Sequence, residues 1–362
     1  MLKLKILLII KNLILTLLFI PFLGFAAIKD WDYTPFISYD GQYPGEVIKE
    51  GRNFDLLLNL WEMPKSMQEL QLSGFRMDEV DTTRLINQGM IYHDNGIYYS
   101  SIPFIDSLTT ENLRFKAKEL AAAIINDPEQ ERKNFFSILD GAGYRASAFP
   151  LVHSLVFDDI IWKNMGVSHE NTTICTVDSM TWSGLFYFYR PEEINVYGTN
   201  GMGLDEKHKF KFAWGNNSNA YLCTVFVKTH ILNGLRNVLK GEDLTEEMLH
   251  DFKRFGVFDE NNRLTIPILD GKDEISSVAN SWAEAAANSF AEHFDGENIA
   301  EMIGWNCRYN EAALKVILYH EVLTQIAQIL DESGILPIPE VLTAEIPTDK
   351  KQTAGVGYIT LR

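Results

Sequence analysis

The stretch "GMIYHDNGIYYSSIPFID" at residues 89–106 decides how this chain is read. "MIYH" and "IYYSSIP" are β-prone runs, and the Asn95-Gly96 pair between them supplies the positive φ angles that a two-residue hairpin turn demands. A shorter stretch of the same design, "GVFDENNRLTIPILD", returns at residues 256–270. After Pro103 and after Pro267, both run into an acidic residue and then into a segment with helical periodicity. Leu113, Ala117, Leu120 and Ile124 make one apolar stripe; Val278, Trp282, Ala286, Phe290 and Phe294 make the other, and both read as core faces. The recurrence is compatible with an internal duplication and with chance agreement between two short hairpins, so both remain open.

Upstream of the first hairpin, "NFDLLLNLWEMP" predicts a short apolar helix stopped by Pro64, which cannot donate a hydrogen bond to the preceding turn. In "KSMQELQLSG", Ser66 with Glu69 three residues on has the spacing of a capping box. "RMDEVDTTRLINQG" predicts a third helix that ends at Gly89, a natural C-cap. Helix, helix, turn, helix and hairpin within residues 45–106 is the order of a winged helix, and the segment resembles the winged helix-turn-helix superfamily in order and length. A degenerate second version spans residues 229–270, where "THILNGLRNVLKG" and "LTEEMLHDFKRFG" supply helices and the small middle helix shrinks to "EDL".

The resemblance implies a DNA reader whose third helix enters the major groove. That helix here carries Asp78, Glu79 and Asp81 against Arg76 and Arg84, and the hairpin tip adds His93 and Asp94 with no Lys or Arg. The net charge of −17, with no basic block beyond short pieces such as "KHKFK" at 207–211, repels a phosphate backbone as well. Charge therefore argues against nucleic acid as the partner.

Residues 1–27 point to a compartment. Lys3, Lys5 and Lys11 precede an apolar run at residues 13–25, with Gly24, Ala26 and Ala27 at its exit, which are the three parts of a secretory signal peptide. The run is shorter than the ~20 residues of a bilayer-spanning helix. The expectation is a leader over residues 1–26, cleaved after Ala26 and leaving an exported chain, with an uncleaved anchor as the alternative. Cys175, Cys223 and Cys307 allow at most one disulfide; Cys175 in "TTICTV" and Cys223 in "AYLCTVFV" sit in strand-like runs that also suit buried thiols.

Chemistry-bearing residues gather in the middle of the chain. His153, Asp158 and Asp159 are the candidates for general acid-base catalysis, and His153, His169 and Glu170 are the candidates for a metal. If residues 151–163 are helical, His153 and Phe157 share a face from which Asp159 falls away. "TWSGLFYFYRPEEINVYGTNGMG" and "HKFKFAWGNNSNAYLCTVFVKTH" predict three or four antiparallel strands joined by Gly/Asn turns. Trp182, Tyr187, Tyr197 and Trp214 are candidates for lining a sugar or peptide groove, with Tyr92 and His93 of the first hairpin as a second contact surface. No Walker, Gly-x-Ser-x-Gly or Cys-x-x-Cys motif is present, and in "HEVLT" at 320–324 Thr324 replaces the second His of a zinc protease. No cofactor is implied.

The sequence thus predicts an α+β protein in four parts: the leader (1–26), a winged-helix-like module (27–110), a central mixed region with antiparallel strands (111–240) and a mostly helical part with a second hairpin (241–362). Its expected role is that of an exported, noncatalytic protein that binds another protein or an envelope component. An exported hydrolase or metal-dependent enzyme centred on His153 and Asp158 is the alternative, and a winged-helix transcription regulator is the third reading.

Overall fold

The structure is a computed structural model that describes residues 30–75, 82–190, 196–218, 222–223, 225–226, 228–254, 256–343 and 357–361. The expected leader and the acidic segment containing Asp78, Glu79 and Asp81 lie outside the described residues. Among the described residues, no helix is long and apolar enough to cross a membrane.

The chain folds as an α+β protein with three small sheets. Strand β1 (Asp32–Tyr39) is followed by helices α1 (Pro44–Lys49) and α2 (Asn53–Glu62). Helix α2 turns Phe54, Leu56, Leu57, Leu60 and Trp61 into a core and gives way just before Pro64. The two-residue strand β2 (Lys65–Ser66) leads into α3 (Met67–Leu72). There Ser66 Oγ accepts from Glu69 N at 3.3 Å and Glu69 Oε2 accepts from Ser66 N at 2.7 Å, so two otherwise orphaned helix-end amides are satisfied.

Helix α4 (Thr82–Asn87) ends before Gly89, whose φ of +66° is left-handed; an added Cβ would lie 2.5 Å from the carbonyl oxygen of Cys175. The hairpin then forms from β3 (Ile91–Asp94) and β4 (Ile97–Ser100), with Asn95 at φ 51° and Gly96 at φ 86°. Those two positive φ values turn the chain with the twist of its strands. Strand β2 pairs with β4, giving the order β2-β4-β3.

After the hairpin, β5 (Phe104–Ile105) pairs in parallel with β6 (Trp182–Tyr189), and β6 runs antiparallel along the whole of β1. Between β5 and β6 lie α5 (Ser107–Asn126), α6 (Glu129–Ala142) and a helical run made of α7 (Ala148–Pro150), a π-helical stretch (Leu151–Ile160) and α8 (Ile161–Asn164), then α9 (His169–Thr172). The second half carries β7 (Tyr197–Gly203), β8 (His208–Gly215), α10 (Thr229–Lys240), α11 (Glu246–Arg254) and β9 (Ile268–Leu269). It closes with α12 (Glu274–His293), α13 (Gly296–Met302), α14 (Glu311–Glu332), α15 (Glu340–Thr343) and β10 (Gly357–Leu361), and its sheet has the order β7-β8-β10-β9.

The central strands do not make one antiparallel sheet. β7 and β8 form the expected hairpin, but β6 belongs with β1. Its alternation explains this: Trp182, Phe186 and Phe188 enter the core of the N-terminal helices, whereas Leu185 and Tyr187 enter the large central core. A strand buried on both faces needs a protein layer on each side, which the β7–β8 hairpin does not offer it. Cys175 and Cys223 are also outside strands: Cys175 is buried in a bend, Cys223 sits in a short helical turn where Asn200 Nδ2 donates to its sulfur at 3.0 Å, and the three cysteines form no disulfide among the described residues.

Candidate functional site

The π-helical stretch positions most of the predicted chemistry. Its wider turns recur in proteins mainly as single-turn bulges, often at functional sites; here they extend over ten residues. His153, near its start, is 1% exposed, stacks on Phe149 with centroids 5.5 Å apart, and neither ring nitrogen has a hydrogen-bond partner among the described residues. Burial in this apolar setting pushes its pKa down from 6.5 to about 3, so the ring is neutral. With its nitrogens unengaged, His153 makes no hydrogen bond to Asp158 among the described residues, and its ring packs against Phe149 and Tyr197 in the core.

Asp158 and Asp159 instead reach a cleft of about 1020 Å³. Desolvation pushes the Asp158 carboxyl up from 3.8 to about 6; the Thr199 hydroxyl and the Trp162 indole act against that rise, while Asp159 adds to it. Asp159 pairs with Lys211 of β8. The cleft runs from β1, through Tyr33 to Phe36, across α8 and α9 to β7, β8 and the middle of α14. Phe36 lies against Trp162 (5.0 Å) and His169 (4.8 Å), which fixes one aromatic wall. Trp214 also lines the cleft, its ring lying over Gly198 of β7, where an added Cβ would stand 2.4 Å from it. Its buried indole N–H has no acceptor among the described residues.

His320, on α14, also lines the cleft. Its Nδ1 bonds the Val316 carbonyl at 2.8 Å, and burial pushes its pKa down to about 4. Donation from Nδ1 leaves Nε2 as the acceptor of a neutral ring. Neither His320 nor Phe36, Trp162 and Lys211 stands out as a site residue in the sequence; alternating Lys209 and Lys211 in "HKFKF" is the one local signal.

The predicted binding aromatics divide. Tyr197 and Trp214 line the cleft. Trp182 and Tyr187, at 7% and 3% exposed, are packing residues, and the Trp182 indole donates to the Gln88 carbonyl at 2.9 Å. Tyr92 is also buried: it stacks on Tyr99, and its hydroxyl accepts from Arg308 N at 2.9 Å, which pins the hairpin to the C-terminal half. His93 remains exposed at the tip. These corrections share one cause, since aromatic residues on strands have large faces that the two cores absorb. His169 and Glu170 reach the cleft, but His153 does not, and among the described residues no three His, Cys, Asp or Glu side chains converge as a metal site.

No known family model, curated protein or solved structure matches the chain.

Proposed function

We propose that this chain is an exported, noncatalytic binding protein that engages another protein or an envelope component. The observation that carries this reading is the central cleft: it is large for a small-molecule pocket, walled by aromatic rings, and equipped with both carboxylates and lysines. The helix–strand–helix–helix–hairpin order of residues 53–100, with β2 returning to pair with β4, supports a winged-helix-like module. The exposed His93-Asp94 tip and the acidic charge favour its use as a protein contact over a nucleic-acid contact. Export rests on the pattern of residues 1–27 alone.

Differential scanning of the full chain with peptide, glycan and duplex-DNA ligands tests this. The expected result is stabilisation by a peptide or glycan that Trp214→Leu abolishes, with no response to DNA at low salt. Stabilisation by DNA alone would overturn it. A hydrolase remains the second reading because Asp158, protonated in part near neutral pH, has the character of a general acid. Turnover lost in Asp158→Asn would favour that reading.

A further inference from the structure

The two halves follow one order of elements, except that β2 has no counterpart and the β3–β4 hairpin is reduced in the second half to the single bridge Phe258–Leu264. β1, helices, a turn, β5, a 20-residue helix, further helices and β6 follow in the first; β8, helices, a turn, β9, a 20-residue helix, further helices and β10 follow in the second. The pairing senses agree as well: β1 is antiparallel to β6 and β5 parallel to it, just as β8 is antiparallel to β10 and β9 parallel to it.

Individual hydrogen bonds recur. Ser101 N donates to Met90 O and Thr265 N to Val257 O, both at 2.9 Å. The Ser101 hydroxyl donates to the Gly89 carbonyl, and the Thr265 hydroxyl to the Gly256 carbonyl. Phe188 N donates to Pro103 O at 2.9 Å, and Ile359 N to Pro267 O at 3.0 Å. Asn95 and Asn262 are the two non-glycine residues with positive φ among the described residues. The halves also exchange helices reciprocally: α5 of the first packs on α14 of the second, while α12 of the second packs on the π-helical stretch of the first. Reciprocal contacts of this kind are what a two-fold relation between the halves would produce. The cleft lies on that seam, since the corresponding strands β1 and β8 both line it.

One further difference bears on the cleft. The outer edge of β8 is occupied by β7, paired antiparallel over its whole length, whereas no described strand pairs with the outer edge of β1. That edge borders the cleft. Phe188 N and Arg190 N point to the β5 side, so Leu185 and Tyr187 face β1, and their partners Phe36 and Thr34 face β6. The alternation leaves the backbone groups of Tyr33, Pro35 and Ile37 on the outer edge. Pro35 is exposed there, as expected for a residue with no N–H to give a ladder.

We propose that the two halves are copies of one unit, and that the open edge of β1 is a peptide-binding site where an extended segment adds as an antiparallel strand, in the place that β7 takes on β8. This rests on the reading of the cleft as a binding site and names its partner. The added strand hydrogen-bonds the carbonyls of Tyr33 and Pro35 and the N–H of Ile37, and sets alternate side chains against the Phe36–Trp162 wall. Strand addition takes its affinity from the main chain and its specificity from side-chain pockets. The cleft lining sets Asp158, Asp159 and Glu170 against Lys163, Lys209 and Lys211, which suits a peptide of little net charge.

The test is a screen of the full chain with a library of synthetic heptapeptides of zero net charge. The best binder is then remade with N-methyl groups on either alternate set of amides, and neutral oligosaccharides are titrated in parallel. The expected result is saturable binding that one N-methyl set weakens by at least ~tenfold and the other leaves intact, because only one set faces β1. Ile37→Pro, which removes the outer-edge donor, weakens binding similarly; if that variant does not fold, the N-methyl pair decides alone. Equal effects of both N-methyl sets overturn strand addition. Oligosaccharide binding without peptide binding overturns the peptide site and leaves the binding-protein reading standing, whereas binding of neither class removes both.

Discussion

Replacing His153 with Leu should stabilise this protein, and the gain should grow as the pH falls. The ring is 1% exposed, and both of its nitrogens lack a hydrogen-bond partner among the described residues. Each buried, unsatisfied polar group costs about 1–3 kcal/mol. Losing the stack on Phe149 returns about 0.5–1 kcal/mol, so a net gain of about 2 kcal/mol is expected near neutral pH. The pH dependence follows from the pKa, which is lowered from 6.5 to about 3 in the folded chain. Above 6.5 both states hold a neutral ring; as the pH falls below 6.5, the unfolded chain takes up a proton that the folded chain refuses until about 3. Stability is therefore full above 6.5 and is lost across that window, by about 2 kcal/mol at pH 5 from this residue alone. Urea titrations of both proteins at pH 7.5 and pH 5 give the comparison. The reasoning fails if His153→Leu is the less stable protein at pH 7.5 and the difference does not change at pH 5, which would mean that the imidazole is hydrogen-bonded or already charged in the fold.

Three further outcomes are expected. Glu321→Gln should destabilise by about 1.5 kcal/mol, because the 2.9 Å hydrogen bond from Arg114 Nε would lose its charged acceptor; Arg114→Met with Glu321→Met should recover most of the loss in a thermal-denaturation cycle, and no recovery would deny that the pair is coupled. Ser101→Ala and Thr265→Val should each cost about 1 kcal/mol in urea titrations, since each removes the hydroxyl that satisfies a glycine carbonyl at the corresponding place; a loss at one site alone would count against their equivalence. Gly198→Ala should force the Trp214 ring off β7, because the new Cβ would stand 2.4 Å from it, and a shifted tryptophan emission maximum is the readout, with an unchanged spectrum contradicting the geometry.

Local order was legible from the residues. Ser66 with Glu69, Asn95 with Gly96, and the apolar stripes of α5 and α12 all specify their elements within a few positions, because capping, turn chirality and helical periodicity act over one or two turns of chain. The α+β class follows from those elements. The likeness of residues 89–106 to 256–270 was likewise visible as text, but its meaning depends on hydrogen bonds that close only in the fold.

The partners of the strands were decided by tertiary structure. β6 reads as one more aromatic strand beside β7, yet it pairs with β1, because only there are both of its faces covered by apolar side chains. The same competition for burial withdrew Tyr92, Trp182 and Tyr187 from the surface and turned His153 into the core. The cleft joins residues 33–36, 158–170, 196–214 and 320–323, which no local rule links. Sequence by itself determined what each short segment becomes, since those preferences are settled among neighbours. Which segments meet, and therefore which of the aromatic and acidic residues are free to touch a ligand, was settled by the burial of apolar surface over the whole chain.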